Sequence, residues 1–252
     1  MCGRFTLATP LEILEALFEV EGEEQSDEPR YNIAPQTRIL AVHRRRGKRA
    51  WQSLLWGALN PGEGRLLINA RSETVATSPL FARAFAASRI LIPADGFFEW
   101  TKDGARRRGR YFQRPGGGPF AFAGISVSPL ARPEVEEPRV VILTTQASES
   151  VQAYHDRMPV TVRPEAFAEW LDPGANPRDA MNLMARAAET EWASYSVGPA
   201  VNNVASDGPD CIRRAGVEPE RQGRLFQASL SRLPSGASKQ SGWRRRNSTT
   251  LR

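Results

Sequence analysis

The spacing of hydrophobic residues predicts short helices near the beginning of the chain and on either side of a strand-rich middle region. Leu11, Leu14, Leu17 and Phe18 recur at helical intervals, and the stretch 9–12 (Thr-Pro-Leu-Glu) is typical of a capping box with proline at the first helical position. Two further helices are predicted, one from Ser78-Pro79 through Ala87 and one from Arg163-Pro164 to about Asp172-Pro173.

Segments rich in aromatic and β-branched residues predict the strands of that middle region. The predicted strands are 38–44, 51–59, 89–93, 111–114, 120–127 and 139–145, with a basic turn at 45–48 and a turn at Asp95-Gly96. Strands and helices do not alternate regularly, and there is no internal repeat. The pattern therefore predicts an α+β fold built on antiparallel sheets rather than a doubly wound fold.

Charge separates the chain into two parts. The formal net charge is +6, but residues 213–252 hold ten Lys/Arg and two Glu, so residues 1–212 have a net charge of −2. The segment 213–252 is rich in Ser, Gly and Arg and has no sustained hydrophobic period, which predicts a disordered basic tail after a folded domain at 1–212. The acidic run 19–28 is predicted to be a solvated loop.

Composition excludes several classes of protein. The first ten residues lack a signal-peptide core, no segment resembles a membrane span, and two cysteines do not make a disulfide framework, so we expect a cytoplasmic protein. Cys2, Cys211, His43 and His155 lack the spacing of zinc ligands, and we expect neither a metal nor a cofactor.

Cys2 follows Met1 directly, and its small side chain favours removal of Met1. Removal would leave an amine with a pKa of about 7.7–8.0 beside a thiol on one residue. A neutral amine attacks an aldehyde to give a Schiff base, and the thiol can then close a thiazolidine ring. The alternative is a frayed terminus in which the cysteine has no role.

Glu99 and His155 are candidates for acid–base chemistry. Glu99 lies between aromatic residues just after a turn, where loss of water would raise its pKa, although it could equally pair with a structural arginine. His155 lies in a polar cluster before a predicted strand and could relay protons, or it could be a packed or capping residue.

Other polar residues suit contact with a nucleic acid. Asn69 can hold a substrate hydroxyl and Arg71 a phosphate, unless the run 69–73 is only a polar turn with a local ion pair. Arg4 and the basic clusters 44–46 and 106–110 have tryptophan and tyrosine nearby, a combination that suits single strands, although each cluster alone is also typical of a solvated face.

Taken together, these segments resemble the SRAP (SOS response-associated peptidase) family, also called abasic site processing proteins. The matching segments occur in the family's order from the first residues to about position 212: Cys2-Gly3-Arg4-Phe5, Tyr31-Asn32-Ile33-Ala34-Pro35, Trp56-Gly57, Asn69-Ala70-Arg71-Ser72-Glu73-Thr74, Ile92-Pro93-Ala94-Asp95-Gly96-Phe97-Phe98-Glu99-Trp100, Phe122-Ala123-Gly124, Thr144-Thr145, Tyr154-His155-Asp156-Arg157-Met158-Pro159 and Val201-Asn202. After Trp56-Gly57 the chain departs from the family, which usually continues into a proline and another tryptophan.

The resemblance implies an α+β fold with barrel-like central sheets, peripheral helices and a positively charged groove for single-stranded DNA. It implies that Cys2 forms a thiazolidine with the aldehyde of an abasic deoxyribose. The catalytic residues it implies are Cys2, Asn69, Glu99 and His155, and the DNA-binding residues are Arg4, Asn32, Pro35, Arg71, Trp100 and Arg157.

The sequence therefore predicts a monomeric cross-linking enzyme for abasic sites in single-stranded DNA, with a possible lyase activity and nucleoid association when bound to DNA. One alternative is an N-terminal-nucleophile cysteine hydrolase or peptidase, in which Cys2 attacks an acyl carbon. Another is a non-enzymatic module that binds single strands without using Cys2.

Overall fold

The computed structural model describes residues 2–20, 28–60, 63–103, 106–128, 137–186 and 188–216. The helices are α1 (Leu11–Phe18), α2 (Ala82–Ala87), α3 (Glu149–Gln152), α4 (Phe167–Trp170) and α5 (Pro177–Arg186). The strands are β1 (Phe5–Leu7), β2 (Arg30–Ile33), β3 (Arg38–Arg45), β4 (Lys48–Trp56), β5 (Ala58–Leu59), β6 (Leu66–Leu67), β7 (Asn69–Arg71), β8 (Arg89–Ala94), β9 (Gly96–Asp103), β10 (Arg106–Gln113), β11 (Phe120–Val127), β12 (Arg139–Gln146), β13 (Arg157–Pro159), β14 (Thr161–Val162) and β15 (Ala193–Ser196). Short 3₁₀ helices lie at Pro164–Ala166, Pro199–Asn202 and Pro209–Ile212.

Five strands of the larger sheet form a closed ring. Strand β12 pairs with β4, then β4 with β3, β3 with β8, β8 with β11, and β11 with β12 again. This ring confirms the predicted α+β fold with barrel-like central sheets. Most pairings are antiparallel as expected, but β12 pairs in parallel with β4 and with β7.

The ring strands bury side chains on both faces. Odd-numbered residues of β11 such as Ala121 and Ala123 pack in a cluster with helix residues including Phe85 and Trp170. Even-numbered residues such as Phe122 pack in a second cluster with Phe5, Phe97 and Phe112. Since both faces are buried, β8 and β11 have continuous hydrophobic sequences without strict alternation.

A second sheet, in the order β15-β10-β9-β1-β2, covers one side of the ring. Residues 197–212 cover the other face of the second sheet. Val197, Val201 and Cys211 of this segment form a third cluster with Phe98 and Tyr111. We call residues 197–212 the C-terminal strap. Strand β9 is therefore buried on both sides over its first residues.

Gly96 allows the chain to pass sharply from β8 into β9. A Cβ at this position would lie 2.3 Å from the Tyr111 ring and 2.5 Å from the Phe112 carbonyl oxygen, so only glycine fits. The predicted turn at Asp95-Gly96 is thus a tight connection from the larger sheet to the second sheet, and it places Glu99 on the same face of β9 as Phe97.

Helix α1 begins differently from the prediction, and the proposed capping box is wrong. Pro10 is the N-cap residue and no side chain caps the helix. The Thr9 hydroxyl donates to Asp95 Oδ1 at 2.5 Å, so the long-range carboxylate takes the bond that a capping box would have used locally.

Gly57 divides the predicted strand 51–59 into β4 and β5. Its φ of 109° is a conformation that few other residues adopt, and its N–H donates to the Val140 carbonyl at 2.8 Å.

Two helices also differ from the prediction. The predicted helix from Ser78 is shorter, since turns precede α2, which begins at Ala82. Helix α5 was not predicted, although Asn176 accepts a bond from the Asp179 N–H at 2.9 Å, as an N-cap residue does.

Regular hydrogen bonding continues past position 212. The Ala215 N–H donates to the Ser196 carbonyl at 2.8 Å, and Val197 bridges to Arg214. The predicted tail from 217 onward and most of the predicted acidic loop, residues 21–27, lie outside the described residues.

Among the helices that the structure describes, none combines the length and the apolar character needed to cross a membrane.

Candidate active site

Cys2 is completely buried, and its main chain is held in place from two directions. The Asn69 side-chain amide donates to the Cys2 carbonyl at 2.8 Å. Two residues further on, the Arg4 carbonyl accepts from the Phe98 N–H at 3.0 Å, which aligns this segment with β9. The first residues of the chain are therefore anchored to the strand that contains Glu99 and to β7.

Trp56 supports both of these anchors. Its buried indole donates to the Ile68 carbonyl at 3.0 Å, just before Asn69, and its ring meets the Phe5 ring edge-on at 5.3 Å. The Trp56-Gly57 pair had no chemical role in the sequence analysis. The structure shows that it fixes the position of Asn69 relative to the N-terminal segment.

Glu99 is 3% exposed, and burial raises the pKa of its carboxyl group to about 7. The positive charge of the Met1 amine opposes this shift, and the carboxylate of Asp156 adds to it. The side chain shares its face of the sheet with the aromatic residues Phe97 and Phe112. At neutral pH the Glu99 carboxyl group is therefore protonated in some molecules and ionised in others, as general acid–base chemistry requires.

His155 precedes β13, and burial lowers its pKa, with the charge of the N-terminal amine as the next cause. Its Nδ1 atom accepts from the Arg157 N–H at 2.9 Å and also lies 2.8 Å from Asp156 Oδ1. These two contacts need opposite protonation states of Nδ1. The lowered pKa favours the neutral ring, in which Nδ1 either accepts from the Arg157 N–H or donates to Asp156.

Burial also raises the pKa of the Cys2 thiol, and the negative charge of Glu99 adds to this effect. The N-terminal amine and a hydrogen bond from the Arg4 backbone act in the opposite direction but are weaker. The thiol is thus protonated at neutral pH and needs a base before it can act as a nucleophile. Asn69 binds the Cys2 carbonyl, Glu99 acts on the Cys2 thiol, and Asp156 acts on both Glu99 and His155, so these four residues lie near one another.

Arg4, Asn32 and Trp100 lie together on the opposite face of the second sheet. Arg4 Nη1 donates to Asn32 Oδ1 at 2.6 Å and to the Val201 carbonyl at 3.0 Å. The Asn32 amide donates to the carbonyls of Asn203 and Ser206 in the C-terminal strap. Asn32 is buried, so in this state its side chain anchors the strap.

The remaining predicted DNA-binding residues differ in their exposure to solvent. Arg71 is exposed at the end of β7, on the same side as Asn69. Pro35 is half-buried in the turn after β2, where Gln36 donates to the Trp56 carbonyl at 2.9 Å.

Arg157 is bound by Glu73 through two hydrogen bonds of 2.8 Å, and its guanidinium also donates to the Thr144 carbonyl. The same carbonyl accepts from the Ser72 N–H at 2.8 Å, and β12 pairs with both β7, which contains Asn69, and β13, which follows His155. A local ion pair within the run 69–73 was one of the alternatives that the sequence left open. The partner of Glu73 is instead Arg157, which only the fold brings near.

No group of three or more His, Cys, Asp or Glu residues is arranged to hold a metal ion in the part of the chain that the structure describes. Residues 1–204 match the family model described as SOS response associated peptidase (SRAP).

The chain belongs to the SRAP family.

Curated relatives in the SRAP family are similar over most of the chain. The chain is 33% identical to the abasic site processing protein YedK of Escherichia coli (strain K12), over 84% of the chain and 99% of that protein. It is 30% identical to the abasic site processing protein YoaM of Bacillus subtilis (strain 168), over 84% and 97%. A more distant relative is the abasic site processing protein HMCES of Xenopus tropicalis, 24% identical over 84% and 74%.

Solved structures share the SRAP fold seen here. A phage-related protein from Bordetella bronchiseptica superposes with a TM-score of 0.66 at 30% identity, covering 78% of this chain and 94% of that one. A protein from Bacteroides thetaiotaomicron superposes with a TM-score of 0.70 at 20% identity, covering 85% and 100%.

Proposed function

We propose that this protein processes abasic sites in single-stranded DNA by forming a covalent thiazolidine cross-link through Cys2 after Met1 is removed, so that the lesion is protected. The observation that supports this best is the convergence on Cys2: Asn69 holds its carbonyl, the charge of Glu99 raises the pKa of its thiol, and Asp156 acts on both Glu99 and His155. The names of the SRAP relatives suggest the same substrate.

The reaction needs two nucleophiles on one carbon atom. The Cys2 amine nitrogen bonds to the aldehyde carbon of the opened sugar, and the resulting carbinolamine loses water to give an imine. The Cys2 sulfur then bonds to the same carbon while the thiol proton passes to the nitrogen. The net change is one thiazolidine ring formed and one water molecule released.

Glu99 is the proposed proton donor at the sugar ring oxygen and at the departing hydroxyl group. A carboxyl group with a pKa of about 7 can give up a proton and recover it at the same pH. Its neighbouring Cys2 thiol, which burial keeps protonated, then needs a base, and the ionised form of Glu99 is close enough to interact with it electrostatically.

His155 is the proposed carrier of protons during ring closure and its reversal. Nδ1 is engaged by the Arg157 N–H and by Asp156, so Nε2 is the ring nitrogen proposed to exchange protons with the substrate. Proton removal from the sugar carbon next to the imine would give strand cleavage by β-elimination, which makes a lyase activity part of the same proposal. Arg4, Asn32, Pro35, Arg71, Trp100 and Arg157 are the proposed DNA-binding residues.

A denaturing gel with an abasic single-stranded oligonucleotide tests the proposal. The wild-type protein should give a slowly migrating covalent adduct, and Cys2→Ala should give none. Cys2→Ser keeps an amine but loses the thiol, so its Schiff base should survive only after treatment with a reductant. Cys211→Ala is the matched control, because Cys211 is also buried but lies in the C-terminal strap, and it should form the wild-type adduct.

Intact mass spectrometry tests the identity of the nucleophile. The adduct-forming protein should lack Met1, since only a free amine on Cys2 can close the ring. An adduct formed by protein that fully retains Met1 would exclude the thiazolidine. A peptidase would instead give a thioester with an amide substrate, and a simple binding module would bind DNA equally well as Cys2→Ala.

A further inference from the structure

Trp100 brings two arginine side chains together on the outer face of the second sheet. The guanidinium carbons of Arg4 and Arg107 lie 5.5 and 5.8 Å from the centroid of its ring. The Trp100 indole donates to Asn202 Oδ1 at 2.8 Å, and the Asn202 amide reaches the Arg107 carbonyl at 3.5 Å. We call Arg4, Trp100, Arg107 and Asn202 the Trp100 cluster.

The backbone geometry makes this arrangement possible. Gly109 lies opposite Trp100 in the pairing of β9 with β10. A Cβ on Gly109 would come within 3.0 Å of the Val201 side chain and 3.4 Å of the indole nitrogen of Trp100. The missing side chain therefore allows the C-terminal strap to approach closely enough for Asn202 to hold the tryptophan.

The Trp100 cluster contains two positively charged side chains, Arg4 and Arg107. Within the described residues, neither Arg4 nor Arg107 takes part in an ion pair, and the buried Nε atom of Arg4 has no hydrogen-bond partner there. Burial lowers the pKa of Arg4, and the positive charge of Arg107 lowers it further. Like charges held near one ring repel each other, and a bound anion would remove that repulsion.

The Trp100 cluster is one residue away from the catalytic carboxylate but faces the other side of the sheet. Glu99 and Trp100 are consecutive in β9, so their side chains point to opposite faces. Strand β1 pairs with β9 at Gly96 and Phe97. The next contact along β9 is the hydrogen bond that the Phe98 N–H donates to the Arg4 carbonyl. A DNA strand attached at Cys2 can thus pass over this edge of β9 and reach the Trp100 cluster.

We propose that Arg107 binds a backbone phosphate of the DNA strand next to the phosphate bound by Arg4, and that Trp100 and Asn202 hold Arg107 in position for this contact. The inference rests on the proposed function for its substrate class. It adds Arg107 and Asn202 to the residues that the sequence indicated for DNA binding. The guanidinium group of an arginine suits this contact because its N–H donors match two phosphate oxygens.

The affinity for an undamaged single-stranded oligonucleotide, measured by fluorescence anisotropy over a range of salt concentrations, tests Arg107. A single-strand phosphate contact contributes about −0.7 to the slope of log K against log salt, so Arg107→Gln should bind more weakly with a slope about 0.7 less negative. Arg178→Gln is the matched control, because Arg178 is an exposed arginine on α5, which packs on the first core cluster. Equal slopes for the wild type and Arg107→Gln would overturn the proposal. Equal losses of DNA affinity in Arg107→Gln and Arg178→Gln would also overturn it.

A double-mutant cycle tests the positioning by Trp100. In a Trp100→Leu background, Arg107→Gln should change the salt slope much less than in the wild type, whereas Trp100→Phe, which keeps an aromatic face, should preserve most of the Arg107 effect. Asn202→Ala gives a second route to the same result if Trp100→Leu does not fold. An undiminished Arg107 effect in both backgrounds would show that Trp100 and Asn202 do not position it.

These measurements are independent of the covalent chemistry, since undamaged DNA has no aldehyde. A wild-type protein that forms no adduct but shows the Arg107 effect would overturn the proposed function and leave the phosphate site in place. A protein that forms the adduct without any Arg107 effect would overturn only the phosphate site.

Discussion

The carboxyl group of Glu99 connects burial at one residue with the pH dependence of the whole protein. Its pKa is raised from an ordinary value of 4.5 to about 7, chiefly by burial. Below pH 4.5 the group is protonated in both folded and unfolded states. As the pH rises towards 7 the unfolded state loses its proton first, so folding is progressively disfavoured through this group.

Glu99→Gln should therefore gain stability relative to the wild type between pH 4.5 and 7, by up to about 3 kcal/mol, because the amide does not ionise. Above the folded pKa the difference should stay constant. Chemical denaturation of both proteins from pH 4.5 to 8 measures it. A difference that does not change with pH would show that the carboxyl group titrates normally. The same variant should form the adduct more slowly, by roughly 10²-fold or more, as expected for loss of a general acid.

At the scale of elements, Arg89 joins the ends of two helices to the ring. This residue is 5% exposed at the start of β8, and burial lowers its pKa. Its guanidinium donates to the Phe85 carbonyl at 2.7 Å and to the Trp170 carbonyl at 2.8 Å, and it also reaches the carbonyls of Ala86, Asp172 and Ala175. Carbonyls at helix ends lack partners within the helix, so one side chain satisfies the ends of both α2 and α4.

Arg89→Met should lower the free energy of unfolding by at least about 3 kcal/mol, since several buried carbonyls lose their donor. Arg83→Met is the matched control: Arg83 is exposed on α2, and its replacement should change stability by less than about 0.5 kcal/mol. Thermal unfolding of the three proteins gives the comparison. Similar midpoints for wild type and Arg89→Met would mean that water or other donors replace the guanidinium.

At the scale of the whole molecule, the described fold extends a few residues past the predicted domain boundary. Beyond position 212, the Arg213 carbonyl accepts from Gly198 at 3.3 Å, Ala215 donates to Ser196 at 2.8 Å, and the Arg214 guanidinium lies 4.1 Å from the centre of the Tyr195 ring. These contacts secure the outer strand β15 next to the C-terminal strap.

A chain ending at residue 217 should unfold at the same denaturant concentration as the full chain, because no described contact is removed. A chain ending at residue 212 should be less stable by about 1–2 kcal/mol, through the loss of these hydrogen bonds and the cation–π contact. Both should still cross-link abasic DNA, since every proposed catalytic residue precedes position 212. Equal stability of the two truncated chains would place the boundary at 212.

The sequence by itself determined the fold class and most of the interior strands. Runs such as 120–127 and 139–145 are apolar on both faces, and burial of that much apolar surface is the main force that drives them together. The chemistry of single residues could also be anticipated, because a thiol beside a terminal amine and a carboxyl among aromatic rings are local properties of the sequence. Short strands such as β1, β7 and β13 had no such pattern and were missed.

Only the tertiary structure decided which distant residues meet. The pairing of Arg157 with Glu73, the support of Asn69 by Trp56 through Ile68, and the separation of Glu99 from Trp100 by the sheet all depend on strand register. The same holds for Thr9, which binds Asp95 rather than capping its own helix. Register and ring closure arise from the combined packing of many side chains, so a local pattern specifies which residues are reactive but not which partners they find.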